Sequence, residues 1–277
     1  MKETLQQLSW AFTKWRAQVF HLAVNVMRQA THGSALGWVW AFAKPGFYIV
    51  CFWFALNIGL KAARVSSLDN VTYMIWLAGG IIPWFYIRTM LGTGTNVFRK
   101  YSYLVKRLKF PVPLIPVFYQ LGELFIHLML LVFLLVGYFL AGGTLDLYLL
   151  QLVFLVLVMY ILSVSWSLFA SSMSAISKDF LNLIKALSTP IFWLSGILYD
   201  INAVAVDIPV LRTVLYFNPV TFIVSGYRQC LVCAPGYKTW LWEDPAFFWI
   251  GIGMVVLTAI AGLCTYAHLR KDIPDVI

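Results

Sequence analysis

Glu123 and His127 are the residues whose types and spacing best suit chemistry inside an apolar segment. They stand four positions apart in a helix predicted over residues 114–141, so they share one helix face and could hydrogen-bond to each other. A carboxylate within a membrane helix is costly and is expected to face other helices or a cavity. The pair could serve as a conformational latch, as a proton-linked site or as a structural polar pair. Because no other acid lies in the interior of another apolar segment to extend a proton relay, the structural interpretation is favoured.

A second candidate surface combines hydroxyl groups and aromatic rings on a helix predicted over residues 184–200. At 3.6 residues per turn, one third of its circumference carries Lys185, Ser188, Phe192, Ser195, Gly196 and Tyr199. Rings stack on sugar faces and hydroxyls exchange hydrogen bonds, so this face could line a path for sugars. Packing against another helix through Ser and Gly is an equal alternative. Together with a shared face in the first apolar segment, the predicted path residues are Trp53, Asn57, Ser188, Phe192, Ser195 and Tyr199.

Other signatures of chemistry are absent from the sequence. No GxxxxGK[ST] phosphate loop, HExxH, GxSxG or acidic metal cluster occurs, so no cofactor or metal site is predicted in this chain. Cys230 and Cys233 form a CxxC with no second Cys or His cluster, which favours chance spacing over a local disulfide. Ser163, Ser167 and Ser171 recur at every fourth position, which favours close helix packing over a substrate contact.

The composition is that of a membrane protein. Of the 277 residues, 61% are hydrophobic and 11% are charged, against about 25% charged in soluble domains. The mean hydropathy is +0.82. The net charge of +9 could point to nucleic acid, but the basic residues lie in loops beside apolar segments, where they act as topology signals and contact anionic lipids. A nucleic-acid partner is therefore not expected.

The chain is predicted to be an all-α integral membrane protein with a single domain. Six apolar segments approach the ~20 residues that a helical crossing needs, at residues 45–62, 71–92, 114–141, 147–176, 184–200 and 246–269. A further stretch at 211–233 is broken at Asn218-Pro219 into halves too short to cross, which predicts a re-entrant helical pair. Within an N-terminal arm over 1–44, residues 1–30 have the period of an amphipathic helix in the membrane interface, or of one packed on a soluble partner. The six-span bundle is placed at 45–269.

The distribution of basic residues predicts the orientation. With six spans, 15 of the 20 Lys and Arg residues fall on one side, and the richer side is cytoplasmic, which places both termini in the cytoplasm. The five on the outer side are Lys61, Arg64, Arg212, Arg228 and Lys238. The stretch from Phe98 to Pro116 holds five Lys and Arg residues and no acid. It predicts a short cytoplasmic helix over residues 97–109.

Four stretches, in this order along the chain, resemble the membrane subunits of ABC-2 type exporters. Gly33 to Gly37, followed by Trp40 and Pro45, resembles the family's GSxLGxxW…P pattern before the first span, although RQATH stands where the family often has RYR. Leu104 to Pro111, followed by Pro116, resembles LVxKxxFPxxIxP. Lys178-Asp179 resembles an RD pair, with Lys for Arg. Asn218 to Arg228 resembles NPVxxIVxGYR.

This resemblance implies an exporter in the bacterial plasma membrane. It implies a homodimer of this subunit with two copies of a separate ATPase, which carries the ATP and Mg. The helix at 97–109 would then be the coupling helix that docks on the ATPase, through Arg99, Tyr101, Ser102, Tyr103, Leu104, Val105, Lys106 and Arg107.

The resemblance also implies a cargo, a polymer on an undecaprenyl diphosphate carrier. Lys44, Arg88 and Arg99 could contact the diphosphate, or could serve topology and lipid headgroups alone. Residues 75–95 and 217–231 resemble wall teichoic acid exporters more than O-antigen or capsule permeases, so teichoic acid is the first expected cargo. O-antigen or capsular polysaccharide is the alternative within the same class. An ABC-2 drug or lipid exporter and an integral membrane transferase are the rival classes.

Overall fold

The computed structural model describes residues 2–29, 36–59, 68–108, 110–201, 209–234 and 236–273, with side-chain positions for all of these except 2–12, 107–108 and 209. The described residues form helices and turns without a strand. The helices are α1 (Lys2–Gln29), α2 (Val39–Trp53, continued by a π-helical turn Phe54–Gly59), α3 (Asn70–Leu91), α4 (Val97–Lys100), α5 (Ser102–Leu108), α6 (Leu114–Leu140), α7 (Gln151–Ile176), α8 (Lys178–Trp193), α9 (Pro209–Tyr216), α10 (Pro219–Leu231) and α11 (Pro245–Leu269).

Short polar residues before the apolar runs set where several helices begin. Asp69, Asn218 and Asp244 each accept a hydrogen bond from a backbone N–H in the first turn of the helix that follows, at 2.9–3.1 Å. In α10 and α11, proline then occupies the first turn, where its missing N–H costs no hydrogen bond. The sequence pattern Asn-Pro or Asp-Pro therefore defines both helix starts.

Five of the six predicted spans are confirmed as helices long and apolar enough to cross a membrane. They are Val39–Gly59, Asn70–Lys106 (α3 with the short helical segments that follow it), Leu114–Leu140, Leu147–Ile176 and Pro245–Leu269. The segment predicted at 184–200 differs, since α8 starts at Lys178 and ends at Trp193 and turns follow to residue 200. The first span also starts earlier than predicted, with Pro45 inside α2 rather than at its beginning.

The structure also tests two of the shorter predictions, and it confirms one of them. The break at Asn218-Pro219 is confirmed, because α9 and α10 are separate helices that meet there. The single helix predicted over 97–109 is wrong: Tyr101 separates α4 from α5, with φ −111° and ψ 24°.

The bundle is built around α7, which packs against α3, α6, α8, α10 and α11. Ser163, Ser167 and Ser171 are fully buried on this helix, in agreement with the predicted packing role. α1 packs along α6 through Val19, Ala23 and Val26, all of which are buried. The outward faces of the bundle expose large apolar side chains such as Phe47, Val132, Leu157 and Leu257.

The bundle has two distinct poles. The basic pole consists of residues 92–108 and 110–113 with the α7–α8 junction. The loop pole consists of residues 141–150, 232–234 and 236–244. Lys238 connects its two parts, because its ammonium donates hydrogen bonds to the Asp146 carboxylate and the Tyr138 hydroxyl. Burial opposes the charge on Lys238, but these two partners outweigh it and the pKa of Lys238 is raised. Gln151, at the first turn of α7, hydrogen-bonds to Thr239 and Leu241 at this same pole.

Candidate functional site

One face of the α4–α5 segment is attached to the bundle at the basic pole. Arg99 donates hydrogen bonds to the carbonyl oxygens of Ser174 (3.1 Å) and Ala175 (2.7 Å), in the last turn of α7. Last-turn carbonyls of a helix lack partners within the helix, and a cation there also complements the helix dipole. Arg99 therefore fixes the segment to the central helix.

The eight residues predicted to couple to an ATPase divide by burial. Tyr101 and Leu104 are buried, and the Tyr101 ring meets Phe118 edge-on at a centroid distance of 5.0 Å. Tyr103, which is 48% exposed, and Lys106 lie on the outer surface. Ser102 and Val105 are half-buried, and the Arg107 side chain lies outside the described residues. The segment thus has an anchoring face and an outward face.

A basic cavity of about 530 Å³ lies beside this segment. Arg99 and Lys100 line it from α4, and Lys185 lines it from α8, together with Gly92, Thr93 and Asn96. Its walls include three cations and no acid, a composition suited to phosphate. Of the three residues predicted to contact a diphosphate, only Arg99 lines it. Lys44 lines a different cavity, and Arg88 is exposed elsewhere on α3.

Glu123 and His127 line the same cavity of about 200 Å³ as Lys44, but they do not pair with each other. His127 Nε2 lies 2.8 Å from the Tyr227 hydroxyl, which joins α6 to α10. Glu123 lies beside Tyr119 instead, one turn earlier on its own helix. The two side chains therefore make separate helix contacts, which favours the structural interpretation over a two-residue latch.

A polar network that the sequence did not predict continues from this pair through the core. The Ser163 hydroxyl donates to the Tyr86 hydroxyl (2.9 Å), and Tyr86 donates to the Gln120 carbonyl (3.2 Å). Gln120 also donates from Nε2 to the Ser167 hydroxyl at 2.6 Å. The only sequence signal for this network was the recurrence of serine at every fourth position of α7. The partners of these serines lie on helices that are distant in sequence.

The predicted path residues are only partly brought together. Phe192 lies between α2 and α3, with ring centroids 5.8 Å from Phe52 and 5.3 Å from Trp84, so α8 and the first span are neighbours. Trp53, Asn57, Ser188 and Tyr199 are half-buried near these helices. Ser195 is fully buried and accepts a hydrogen bond from Asn218 at 2.8 Å. Ser195 therefore takes part in the contact between the turn after α8 and the start of α10, and its role in lining a path stays a prediction.

Arg228 was counted from the sequence only as one of the outer-side charges, and its burial was not predicted. It is buried, and its guanidinium donates to the carbonyls of Trp76, Gly196 and Ile197. It also lies 3.4 Å from the Trp76 ring centroid. The GYR motif was the available signal, but motif spacing does not show which way the side chain points.

Near Arg228, the loop pole contains a cavity of about 460 Å³. Aromatic rings from α3, α9 and α11 line it together with Asp200 and polar groups of residues 236–244. The structure therefore places a basic cavity at one pole and an aromatic, carboxylate-bearing cavity at the other.

Comparison with known proteins agrees with this architecture. Residues 17–232 match the family model described as ABC-2 type transporter. The O-antigen export system permease protein of Myxococcus xanthus is 20% identical over 215 residues, which cover 78% of this chain and 80% of that protein. With five apolar helices of membrane length, this chain is a multi-pass cell membrane protein. The family model covers well over half of the chain, which therefore belongs to the ABC-2 type transporter family.

Proposed function

We propose that this chain is the membrane subunit of an ATP-driven exporter that moves a polymer on undecaprenyl diphosphate from the cytoplasm to the cell exterior. The observation that carries the proposal is the two-faced α4–α5 segment. Arg99 fixes it to α7 and Leu104 buries it against the bundle, while Tyr103 and Lys106 face outward. A segment that is rigidly attached on one side and exposed on the other is suited to receive movement from a soluble partner.

The partners follow from family membership. ABC-2 subunits work with a separate ATPase, so ATP and Mg belong to the partner and no catalytic residue is assigned here. Two copies of this chain and two of the ATPase form the proposed complex. The basic pole is assigned to the cytoplasm, since Lys and Arg resist transfer across the bilayer.

In this arrangement α8 also crosses the membrane, which brings the number of crossings to six. It begins beside the basic pole, where Lys185 lines the basic cavity, and the turns after it reach Gly196 and Ile197, which contact Arg228 near the loop pole. The segment from 178 to 200 therefore runs most of the distance between the poles. Both termini then lie on the cytoplasmic side, and α9–α10 form the re-entrant pair at the outer side.

Two cargo classes remain. The resemblance of residues 75–95 and 217–231 favours wall teichoic acid. The relative from Myxococcus xanthus, named for O-antigen export, favours an O-antigen-like or capsular glycan. In both, the basic cavity with Arg99, Lys100 and Lys185 is the proposed contact for the diphosphate.

The coupling role is tested at Tyr103. Replacing this exposed residue by Asp (Tyr103→Asp) places a charge on the outward face and keeps the buried Leu104, at the loss of one ring contact with Tyr101 (centroid distance 6.2 Å). We expect export, measured as polymer reaching the outside of cells that carry the variant, to fall at least tenfold, while the amount of folded protein in the membrane is unchanged.

Tyr103→Phe is the matched control, because it keeps the ring and is expected to retain export. Unchanged export by Tyr103→Asp, with the ATPase still bound and active, would rule out the α4–α5 segment as the coupling element.

A further inference from the structure

The cavity at the loop pole has a lining that neither the coupling segment nor the basic cavity explains. It measures about 460 Å³, which is room for one or two sugar rings but not for a folded chain segment of another protein. It lies at the pole opposite the α4–α5 segment, between α9, α10 and the start of α11.

Aromatic rings form much of its wall. Trp76, Tyr216, Tyr237, Trp240 and Phe247 all line it. The Tyr216 and Phe247 rings pack at a centroid distance of 4.7 Å, and Trp240 is held from behind by a parallel stack with Trp242 at 4.6 Å. Flat rings held in place offer apolar faces, and the C–H face of a sugar ring stacks on such a surface.

Polar groups stand between the rings. Asp200 accepts a hydrogen bond from the Tyr237 hydroxyl (2.8 Å) and Asp244 accepts one from the Tyr216 hydroxyl (2.7 Å), so each carboxylate also orients a ring. Ser225 and Thr239 contribute hydroxyls to the wall. Gln229 also lines the cavity, and its side-chain oxygen is buried without a hydrogen-bond partner among the described residues. A buried acceptor without a donor is costly, and a ligand hydroxyl would satisfy it.

The charges in the wall restrict the ligand. Arg228 lines the cavity, but its guanidinium is committed to the carbonyls of Trp76, Gly196 and Ile197. Asp200, Glu243 and Asp244 add three carboxylates, of which Asp244 is paired with Arg212 at 3.4 Å. The three carboxylates still outnumber the two cations, Arg212 and Arg228, and so disfavour a phosphate ligand. Among the described residues, no three His, Cys, Asp or Glu side chains are grouped to hold a metal ion. The wall therefore suits a ligand with many hydroxyls that is uncharged or carries an amine.

We propose that this cavity binds one sugar unit of the exported polymer, either uncharged or amine-bearing, and excludes polyol-phosphate units. The inference rests on the proposed function only for the source of the sugar, since the cavity's selectivity follows from its own wall. In the proposed orientation the cavity lies on the outer side, where an emerging polymer would meet it.

Binding is measured by isothermal titration calorimetry on the full chain in lipid nanodiscs. The probes are a panel of trisaccharides built from hexoses, 6-deoxyhexoses, N-acetylhexosamines or glucosamine, against a glycerol phosphate trimer. We expect saturable binding of at least one trisaccharide and none of the glycerol phosphate trimer. The absence of binding by every trisaccharide, or equal binding of the glycerol phosphate trimer, would overturn the proposal.

Two variants locate the binding. Trp240→Ala removes a wall ring and Gln229→Leu removes the buried acceptor, and each is expected to weaken sugar binding about tenfold. Trp249→Ala is the matched control, because Trp249 is an exposed ring outside the wall. Melting temperatures of the three proteins report folding. If Trp249→Ala weakens binding as much as Trp240→Ala, or if both wall variants fold and bind normally, the sugar site is not in this cavity.

This test is separable from the proposed export function. Sugar binding needs neither the ATPase nor transport, so a chain that binds trisaccharides but does not support export would keep the site and lose the exporter. A chain that supports export but binds no trisaccharide would keep the exporter and lose the site.

Discussion

Arg228 shows how one side chain can hold together segments that are distant in sequence. Its guanidinium donates to carbonyls of Trp76 on α3 and of Gly196 and Ile197 after α8, while it belongs to α10. A buried cation is tolerated only where its N–H groups are satisfied, and the Trp76 ring adds a cation–π contact. The guanidinium fork, unlike a lysine ammonium, can reach several carbonyls at once.

This arrangement makes a sharp prediction for two adjacent glycines of α3. In Gly80→Ala the new Cβ would lie 2.9 Å from Arg228 Nη2 and 3.0 Å from the Ile197 carbonyl oxygen. Arg228 and the three carbonyls that it binds, which we call the Arg228 clamp, must then shift. We expect a loss of about 1–3 kcal/mol in the free energy of unfolding, as for other overpacked sites. The measurement is thermal or denaturant unfolding in nanodiscs.

Gly79→Ala is the control for that change. Its Cβ would meet its nearest neighbour, the Cγ of Arg228, at 3.7 Å, an ordinary van der Waals contact. It should keep or slightly raise stability, since alanine is the better helix former. Equal unfolding curves for the two variants would mean that the Arg228 clamp does not constrain α3.

At the residue scale, the sequence predicted which positions carry important polar groups better than it predicted their hydrogen-bond partners. It selected Glu123 and His127 as a polar pair on one helix face, and both line one cavity, but His127 hydrogen-bonds to Tyr227 on α10 rather than to Glu123. It counted Arg228 among the outer-side charges without predicting its burial. Both have the same cause: a helix period fixes which side chains share a face, whereas a hydrogen-bond partner on another helix depends on tertiary packing.

At the element scale, the packing of α1 on α6 depends on the absence of a side chain at Gly122. A Cβ there would lie 2.6 Å from both the Ala23 carbonyl oxygen and the Val26 Cβ. The apolar face of α1 was expected to meet lipid at the interface or a soluble partner. Its described part, Val19, Ala23 and Val26, is instead covered by α6 of the same chain.

Gly122→Ala should therefore loosen α1 from the bundle. We expect faster tryptic cleavage at Lys14 or Arg28 of the variant in nanodiscs, with the rest of the chain protected, because the two helices can no longer approach closely. Gly137→Ala, on the same helix with its nearest neighbour at 4.0 Å, is the control. Identical cleavage rates for the two variants would contradict the close contact at Gly122.

Hydropathy predicted six spans, and five of them are confirmed as membrane-length helices among the described residues, because long apolar runs carry their own signal. It could not predict that α8 ends at Trp193 rather than at residue 200. Gly196, with a φ of +66°, turns the chain after this end. A Cβ at Gly196 would also lie 2.8 Å from the Ile201 side chain. The break at Tyr101 was equally hidden, since it follows from burying that ring against Phe118 rather than from a proline or glycine.

At the scale of the whole molecule, the two poles differ in the ligands they suit. The basic pole offers three cations around a cavity, and the loop pole offers rings and carboxylates. A polymer whose lipid end carries a diphosphate and whose body is a glycan would match both in turn. The order of the family motifs along the chain predicted the family, which the family model confirms, whereas the cargo suggested by residues 75–95 and 217–231 stays a prediction.

The cargo is decided by the ATPase activity of the complete complex in liposomes. Lipid-linked teichoic acid and lipid-linked neutral glycan are compared at equal concentration. If the loop-pole cavity takes part in selection, the neutral glycan should stimulate ATP hydrolysis several-fold more than the polyol-phosphate polymer does. Stimulation by the teichoic acid alone would assign the chain to teichoic acid export and remove the cavity from cargo selection.

The central helix α7 links the two poles in a mechanical sense. It is the one candidate span, among the described residues, without glycine or proline, and its 26 residues give a stiff rod of ~39 Å. Arg99 holds one end through the Ser174 and Ala175 carbonyls, and Gln151 at the other end holds Thr239 and Leu241 beside the loop-pole cavity. An axial displacement imposed on the Arg99 end of α7 would therefore reach the residues beside the loop-pole cavity, because the helix has no glycine or proline at which it could bend.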